Sequence, residues 1–352
     1  MIYAILATLG VALTVVTGMS LIESYQWWIR IWDFPRVQLL IAMLGVIVAL
    51  VFVAGRGRWW LIAALGIASA WQMHRIFPYT PFGPSEVPIA AEIAGVDDDQ
   101  CFSLMSLNVL QTNRDYAATI ALIRDRDPDL LLLLETDRGW ADALAPVLAR
   151  YPHRVDKILD NKYGLMFATR LAVDDARIGA IIDEETPSVF ARLRTRRGDA
   201  FEYMGLHPRP PRPGQDTDKR DAEIAIAATR ARAMNIPVLA NGDFNDVAWS
   251  HTSQLFKRIG GYLDPRIGRG TFPTFPAALP FLRWPLDHLY ITPEFRVRAL
   301  NVERAVGSDH LPVSARLCLA PAAAHPPEPT TTREDAEDLN EILDQPAAKT
   351  QR

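Results

Sequence analysis

Residues 236–250, IPVLANGDFNDVAWS, join a short apolar run to a polar turn. The run is typical of a buried strand, and Asn241, Asp243, Asn245 and Asp246 follow it directly. Glycine, asparagine and aspartate all tolerate tight turns, so turn chemistry explains part of this pattern. A metal or phosphate site at the carboxyl end of a strand explains it as well. The rest of the chain has to distinguish the two interpretations.

Composition limits the class of protein. The formal net charge of −4 over 352 residues does not indicate general nucleic-acid binding, although local basic patches remain possible. The two cysteines, Cys101 and Cys318, are too few for a disulfide scaffold or a thiolate metal site. A metal in this protein would therefore be bound by oxygen and nitrogen ligands.

Three apolar runs precede the polar part of the chain. We predict transmembrane helices at about 2–22, 37–55 and 59–76, because about 20 apolar residues span the hydrocarbon core. A cleaved signal peptide and buried helices of a soluble domain are the alternatives, and the first lacks a basic n-region. The loop at 55–58 carries two arginines and favours the cytoplasmic side. We therefore expect a multi-pass protein of the cell (inner) membrane, with the rest of the chain extracytoplasmic.

The chain divides into four regions by composition. They are a membrane anchor at 1–78, a proline-rich linker at 79–99, a folded domain at 100–320 and a disordered tail at 321–352. Within the folded domain, many predicted strands alternate with few helices, which favours an α/β sandwich of two sheets with helices outside. The run DPDLLLLLE at 127–135 indicates a strand that is buried on both faces.

Polar side chains recur at the ends of the apolar strands. Taken singly, each has an ordinary role as a turn former, a helix-terminal charge or a loop histidine, so the functional interpretation depends on their joint occurrence. They are Asn108, Glu135, His207, Asp243, Asn245, Asp287, Asp309 and His310.

The motifs that contain these residues resemble a known family. In order they are SLNV, LLLLETD, YG, LHPRPP, NGDFN, PLDHLYI and GSDHLPV, from about residue 101 to 319. They resemble the endonuclease/exonuclease/phosphatase (deoxyribonuclease-I-like) superfamily, and in particular its membrane-anchored bacterial members. The resemblance implies a four-layered α/β sandwich of two mainly antiparallel sheets flanked by helices. It also implies cleavage of phosphate esters that depends on Mg²⁺, with Mn²⁺ as a possible substitute.

The resemblance and the chemistry of the side chains together suggest roles. We expect Glu135, Asn108 and Asp309 to bind or orient the metal, because hard cations prefer carboxylate and amide oxygens. The expected catalytic set is His207, Asp243, Asn245, Asp287 and His310. Asp287 would orient His310, while the general base is either Asp243 or His310.

Residues of the motifs are also expected to contact the substrate and to shape the local backbone. Asn108, Tyr163 and Arg209 are expected to contact the substrate, with a packed aromatic ring and a solvated loop arginine as the alternatives for the last two. Asn241 is expected to form the turn, and Asp246 to cap the following helix.

These features predict a membrane-anchored, metal-dependent phosphodiesterase of the nuclease or phospholipid head-group type. The alternative is a catalytically inactive membrane receptor or adaptor that uses the same fold as a binding module. The expected partners are a nucleic acid or a phospholipid head group as the phosphate-ester substrate, and the lipid bilayer. The sequence identifies no protein partner.

The two cysteines allow two interpretations. In the fold that this sequence resembles, the first and last strands lie close together in one sheet, and these strands carry Cys101 and Cys318. The pair could form a disulfide, which would persist in an oxidising compartment. Alternatively, both cysteines are reduced and act as small, buried apolar side chains.

Overall fold

The computed structural model describes residues 1–89, 96–320 and 325–345. The helices in these ranges are α1 (Ile2–Met19), α2 (Trp27–Arg30), α3 (Arg36–Phe52), α4 (Arg58–Ile76), α5 (Tyr116–Arg126), α6 (Arg138–Leu148), α7 (Asp218–Arg232), α8 (His251–Gly260) and α9 (Arg333–Asp344). The strands are β1 (Cys101–Asn108), β2 (Leu130–Leu134), β3 (His153–Lys157), β4 (Leu165–Thr169), β5 (Ala172–Ala180), β6 (Pro187–Arg194), β7 (Ala200–Leu206), β8 (Val238–Asp243), β9 (Asp287–Ile291), β10 (Phe295–Val302) and β11 (Val313–Leu319).

The strands form two sheets. Their orders are β10-β11-β1-β2-β4-β3 and β5-β6-β7-β8-β9. In the described chain each sheet contains one parallel pair, β1 with β2 and β7 with β8, and the other pairs are antiparallel. Parallel neighbours need a crossover connection, which α5 and α7 provide. The predicted α/β sandwich is confirmed, with sheets that are mixed.

The core has three layers of apolar side chains, and β2 shows why. Alternate residues of a strand point to opposite faces. Leu130, Leu132 and Leu134 therefore pack between the two sheets, whereas Leu131 and Leu133 pack beneath α5 and α6. A third apolar layer lies between the other sheet and α7 and α8. The continuous leucine run thus reflects a strand covered on both faces, as its sequence indicates.

Two strands have no counterpart among the strands expected from the sequence. β3 and β5 each lie at one edge of a sheet, and many of their residues are exposed or half-buried. A mostly polar edge strand lacks the apolar run that marks a buried one, which is why the sequence did not reveal them.

The C-terminal segment differs from the disordered tail expected at 321–352. Helix α9 begins at a capping box formed by Thr332 and Asp335. Asp335 accepts a hydrogen bond from Arg258 Nη2 at 2.6 Å, and Ile342 is buried against α7 and α8. These tertiary contacts stabilise a helix that the acidic, proline-rich composition does not predict. Residues 321–324 and 346–352 lie outside the described residues.

The linker expected at 79–99 also makes contacts with the domain. Val87 is fully buried in the core between the sheets, and Tyr79 Oη donates to the carbonyl oxygen of Ala248 at 2.8 Å. Residues 90–95 lie outside the described residues. The segment is therefore attached to the domain at Tyr79 and Val87.

The prediction of three transmembrane helices is corrected. Among the described residues, α1 is long and apolar enough to cross a membrane, and a second span arises only if Trp27–Asp33 and Arg36–Phe52, bent by 73°, count as one. Helix α4 is not among these candidates; it begins with Arg58 and has His74 and Arg75 in its last turn. Helices α1, α3 and α4 nevertheless pack together around a shared apolar cluster.

Cys101 and Cys318 form a disulfide bond. The antiparallel register of β1 and β11 places the two residues directly opposite each other, and both side chains are buried. The structure therefore agrees with the interpretation in which the two cysteines are bonded. The bond joins positions 217 residues apart and ties together the first and last strands of the sandwich.

The disulfide predicts a simple labelling result. When the full chain is isolated under acid quench and unfolded without reductant, a maleimide probe should label neither cysteine, because both sulfur atoms are bonded. After reduction, the same sample should take up two labels, as read by gel shift or mass spectrometry. Two labelled thiols before reduction would contradict the bond.

Candidate active site

The sandwich brings several strand ends together at one edge. Asn108 ends β1, Glu135 follows β2, Asp243 ends β8 and Asp287 begins β9. His207 follows β7 in the same way. Because β8 and β9 are antiparallel, Asp243 and Asp287 lie directly opposite each other. The site is thus built from the ends of strands in both sheets.

Gly242 explains the turn that the opening motif makes. Its φ is +139°, and a Cβ atom at this position would lie 2.0 Å from the carbonyl oxygen of Leu206. A glycine is required for so close an approach of two backbones. Asp243 then accepts a hydrogen bond from the backbone N–H of Asn245 at 2.9 Å, and Asn245 itself has a φ of 50°. The tight turn therefore fixes the direction of the Asp243 carboxylate.

Three buried side chains form the centre of the site. His310 Nδ1 lies 2.8 Å from Asp287 Oδ2, and His310 Nε2 lies 3.5 Å from Asp243 Oδ2. Donor atoms of the three residues lie within 4.8 Å of one another, which is also compatible with a bound cation. Burial alone would lower the pKa of His310, but the charges of Asp287 and Asp243 outweigh it and raise that pKa to about 10. Burial raises the pKa of Asp243.

Glu135, Asp309 and Asn108 form a second polar group beside this centre. Asn108 Nδ2 donates to Glu135 Oε1 and to Asp243 Oδ2, each at 3.1 Å, and its Oδ1 accepts from the backbone of Leu110. Burial raises the pKa of Asp309, and the charge of Glu135 acts in the same direction. Asp309 Oδ1 is buried and has no hydrogen-bond partner among the described residues. Asn108 therefore positions both Glu135 and Asp243.

His207 and Tyr163 occupy the other side of Asp243. His207 Nε2 lies 3.8 Å from Asp243 Oδ2, and burial lowers the pKa of His207. The Tyr163 ring packs 5.3 Å from the His207 ring, and the Arg209 guanidinium lies 5.3 Å above Tyr163. Both aromatic side chains are buried, so Tyr163 supports His207 by packing.

Arg209, which is expected to contact the substrate, has two acidic partners in the structure. Its Nη2 donates to Asp183 Oδ2 at 2.9 Å and to Glu185 Oε2 at 2.8 Å. Both ion pairs use Nη2, whereas Nε has no hydrogen-bond partner among the described residues, so the substrate contact stays a prediction.

Two residues of the opening motif have roles that the sequence did not indicate. Asn241 is buried within β8 and accepts a hydrogen bond from Tyr203 Oη at 2.6 Å, so it is a strand residue rather than a turn former. Asp246 does not cap α8, because Ser250 does. Asp246 instead accepts a hydrogen bond from Ser250 Oγ at 2.6 Å and lies 3.6 Å from Arg220 Nη2.

Three residues that contact the site were not among the site residues expected from the sequence. Ser308 Oγ donates to the carbonyl oxygen of Asn108 at 2.6 Å, Thr274 Oγ1 accepts from the backbone of Asp287 at 3.4 Å, and the Phe275 ring packs 4.8 Å from the His310 ring. Ser308 directly precedes Asp309 and His310 in the motif GSDHLPV, so its place in that motif could have indicated a role at the site. Thr274 and Phe275 lie in a loop whose place beside the site depends on tertiary contacts.

Comparison with known families decides the classification. A model of the Endonuclease/Exonuclease/phosphatase family matches residues 105–310, which is more than half of the chain. The chain belongs to this family. The resemblance to the superfamily is therefore confirmed, whereas the membrane-anchored bacterial type stays a prediction, and the site residues described above lie within the matched segment. Members of the family are phosphoesterase hydrolases.

Solved structures share the fold at low identity. Humanized D. rerio TDP2 is 14% identical with a TM-score of 0.51, and 62% of this chain aligns with 99% of that one. The human Nocturnin catalytic domain, solved with a bound sulfate anion, is 16% identical with a TM-score of 0.52, and the coverage is 63% of this chain and 95% of that one. At this identity the likeness shows the fold alone. A comparison with curated protein sequences finds no significant match.

The contact between Asp287 and His310 predicts the effect of one substitution. In Asp287→Asn, His310 loses its charged acceptor, so hydrolysis of a phosphate ester should fall at least about 100-fold. The matched control is Asp142→Asn, the same change on the exposed face of α6, where side-chain exposure is 68%. Its rate should stay close to wild type, and circular dichroism should show both variants folded. Wild-type turnover by folded Asp287→Asn would contradict an orienting role.

Proposed function

We propose that this protein is a phosphodiesterase that requires a divalent metal ion and is attached to a membrane. The observation that carries the proposal is the buried cluster in which His310 Nδ1 is hydrogen-bonded to Asp287 and His310 Nε2 lies 3.5 Å from Asp243 Oδ2, with Glu135 linked to Asp243 through Asn108. Hydrolysis of a phosphate diester needs proton transfer together with neutralised phosphate charge, and this arrangement offers groups for both.

Glu135 and Asp309 would hold the metal. The buried, unpartnered Asp309 Oδ1 fits this use, because a buried carboxylate oxygen otherwise loses its hydrogen bonds to water. Mg²⁺ and Mn²⁺ both accept such oxygen ligands. A bound metal would neutralise charge on the nonbridging phosphate oxygens and lower the pKa of a bound water. Asn108 would orient Glu135 rather than bind the metal, since its amide is already engaged.

The other residues move protons and hold the phosphate. The oxygen of a water molecule forms a bond to phosphorus, the bond from phosphorus to one alcohol oxygen breaks, and the proton lost by the water balances the one gained by the alcohol. The pair Asp243 and His310 is placed to carry the proton, with Asp287 holding His310. Asn245 and His207 border the same space and would donate to phosphate oxygens.

A receptor or adaptor without activity is the alternative function. Such a protein needs the sandwich but not a buried carboxylate–histidine cluster, and groups with strongly perturbed pKa values in such a cluster are typical of functional sites. The retention of Glu135, Asp243 and His310 in one site therefore favours the enzyme.

Three observations support membrane attachment with the catalytic domain on the extracytoplasmic side. The apolar helix α1 is a candidate span. Tyr3 Oη donates to the carbonyl oxygen of Arg56, so the N-terminus and the arginine-bearing loop meet at one end of the helices. Met19, at the other end of α1, lies near Asn245 and His310, so the catalytic domain is at the opposite end of the candidate span from that loop. The Cys101–Cys318 bond fits an oxidising compartment.

The proposed chemistry predicts losses of activity. Asp243→Asn, His310→Ala and Glu135→Gln should each reduce hydrolysis of a phosphodiester by at least about 100-fold without unfolding the protein. Glu184→Gln, the same amide substitution as Glu135→Gln at an exposed position, is the matched control and should keep wild-type activity.

Metal dependence belongs to the same test. EDTA should abolish hydrolysis by the wild-type chain, and Mg²⁺ or Mn²⁺ should restore it. Activity that is indifferent to chelation would contradict the metal assignment, and wild-type turnover by any two of the three variants would remove the mechanism.

The proposed orientation predicts the behaviour of reporter fusions. Alkaline phosphatase fused after residue 320 should be active, because it folds only outside the cytoplasm, whereas a green fluorescent reporter at the same place should be dark. The opposite pair of signals would show a cytoplasmic catalytic domain.

A further inference from the structure

An apolar cavity of about 820 Å³ lies between the N-terminal segment and the candidate active site. Asn245 and His310 line it on the side of the site. Its other walls are Trp28 and Trp32 from the segment between α1 and α3, the proline-rich loop at 210–213, and Trp284. A phosphate bound beside His310 would therefore direct one of its ester substituents into this cavity.

The chemistry of the walls limits what that substituent can be. Aromatic, proline and aliphatic side chains dominate the cavity surface, with Arg212 among the lining residues. A sugar or nucleobase would lose hydrogen bonds to water there and find few replacements. A hydrocarbon chain would lose none and would gain from leaving water. The cavity is therefore suited to the apolar part of an amphiphile.

The cavity also lies where a membrane lipid would be available. Met19, the last residue of the candidate span α1, lines it. Near the start of α3, Gln38 Nε2 donates to the carbonyl oxygen of Phe281, whose side chain is 91% exposed. Trp28 is 47% exposed on the same segment as the cavity wall. Tryptophan and exposed apolar side chains at the end of a span are typical of the membrane–water interface.

The N-terminal wall is held firmly against the domain. The carbonyl oxygen of Asp33 accepts a hydrogen bond from Trp249 Nε1 at 2.7 Å, and Arg30 Nη2 donates to Thr252 Oγ1 at 2.9 Å. Arg30 also lies 3.9 Å from the buried carboxylate of Asp246. The segment is therefore part of the site's wall, not a loose tether between anchor and domain.

We propose that the cavity binds the hydrocarbon part of a membrane phospholipid, whose phosphodiester then lies against Asn245 and His310. This inference rests on the proposed phosphodiesterase function and names its substrate class. The lipid enters from the bilayer at the end of α1 without leaving the membrane interface.

The test compares a lipid with a soluble diester. The full chain is reconstituted with Mg²⁺ in vesicles of dioleoyl phosphatidylcholine and phosphatidylglycerol, and the release of water-soluble head-group products is measured beside hydrolysis of bis(p-nitrophenyl) phosphate. In Trp32→Ala and Trp284→Ala, the ratio of lipid to soluble-diester kcat/KM should fall at least about tenfold, or about 1.4 kcal/mol. Trp60→Ala, the same change at an 84% exposed position at the other end of the helices, should keep the ratio.

Binding is measured separately from turnover. A photoactivatable diacyl phosphatidylcholine in the same vesicles should crosslink the wild-type chain and Asp243→Asn within 27–35 or 208–213. The lipid proposal is overturned if no crosslink reaches these segments, if the ratio is unchanged in both wall variants, or if single-stranded DNA is hydrolysed with a higher kcat/KM than the lipid. Failure to hydrolyse any phosphodiester would instead refute the proposed function, and the crosslinks would still decide whether the cavity binds lipid.

Discussion

Two buried carboxylates face each other where β8 and β9 pair. The antiparallel register sets Asp243 opposite Asp287, and His310 lies between them with one ring nitrogen toward each. Buried charges of one sign are costly unless a partner of the other sign compensates them, and the imidazole does so here. Because His310 comes from the loop before β11 in the other sheet, this compensation exists only when the two sheets are packed together. The sandwich and its site therefore form as one structure.

Asn108 joins the two halves of the site. It lies at the end of β1 in the first sheet, yet its amide donates both to Glu135 in that sheet and to Asp243 in the second. The distance between the carboxylates proposed for metal binding and the residues proposed for proton transfer is thus set by one side chain. Ser308 holds the backbone of Asn108 in turn, which links this position to Asp309 and His310.

The N-terminal segment is attached to the domain by charges as well as by apolar contacts. Arg30 lies between Asp33 of its own segment and Asp246 of the domain, and Arg220 lies on the other side of Asp246. All of these side chains are buried. Buried charged groups require specific partners at specific distances, so such a cluster fixes the position of a segment more narrowly than apolar contacts do. The position of the cavity beside the site follows from this attachment.

The sequence by itself determined the alternation of strands and helices, the double burial of β2, and the set of polar residues at the strand ends. It did so because periodicity and strand-terminal polarity are local properties of the chain. It did not reveal the edge strands β3 and β5 or the helix α9, because edge strands need no apolar run and α9 depends on contacts with α7 and α8.

The tertiary structure alone decided which of the polar residues meet and in what geometry. It placed Asn108 between Glu135 and Asp243, tied Arg209 to acidic neighbours, buried Asn241 in a strand, and placed aromatic residues from distant segments around one cavity. Those outcomes depend on sheet order and strand register, which join residues that are far apart in sequence. A local pattern does not contain that information.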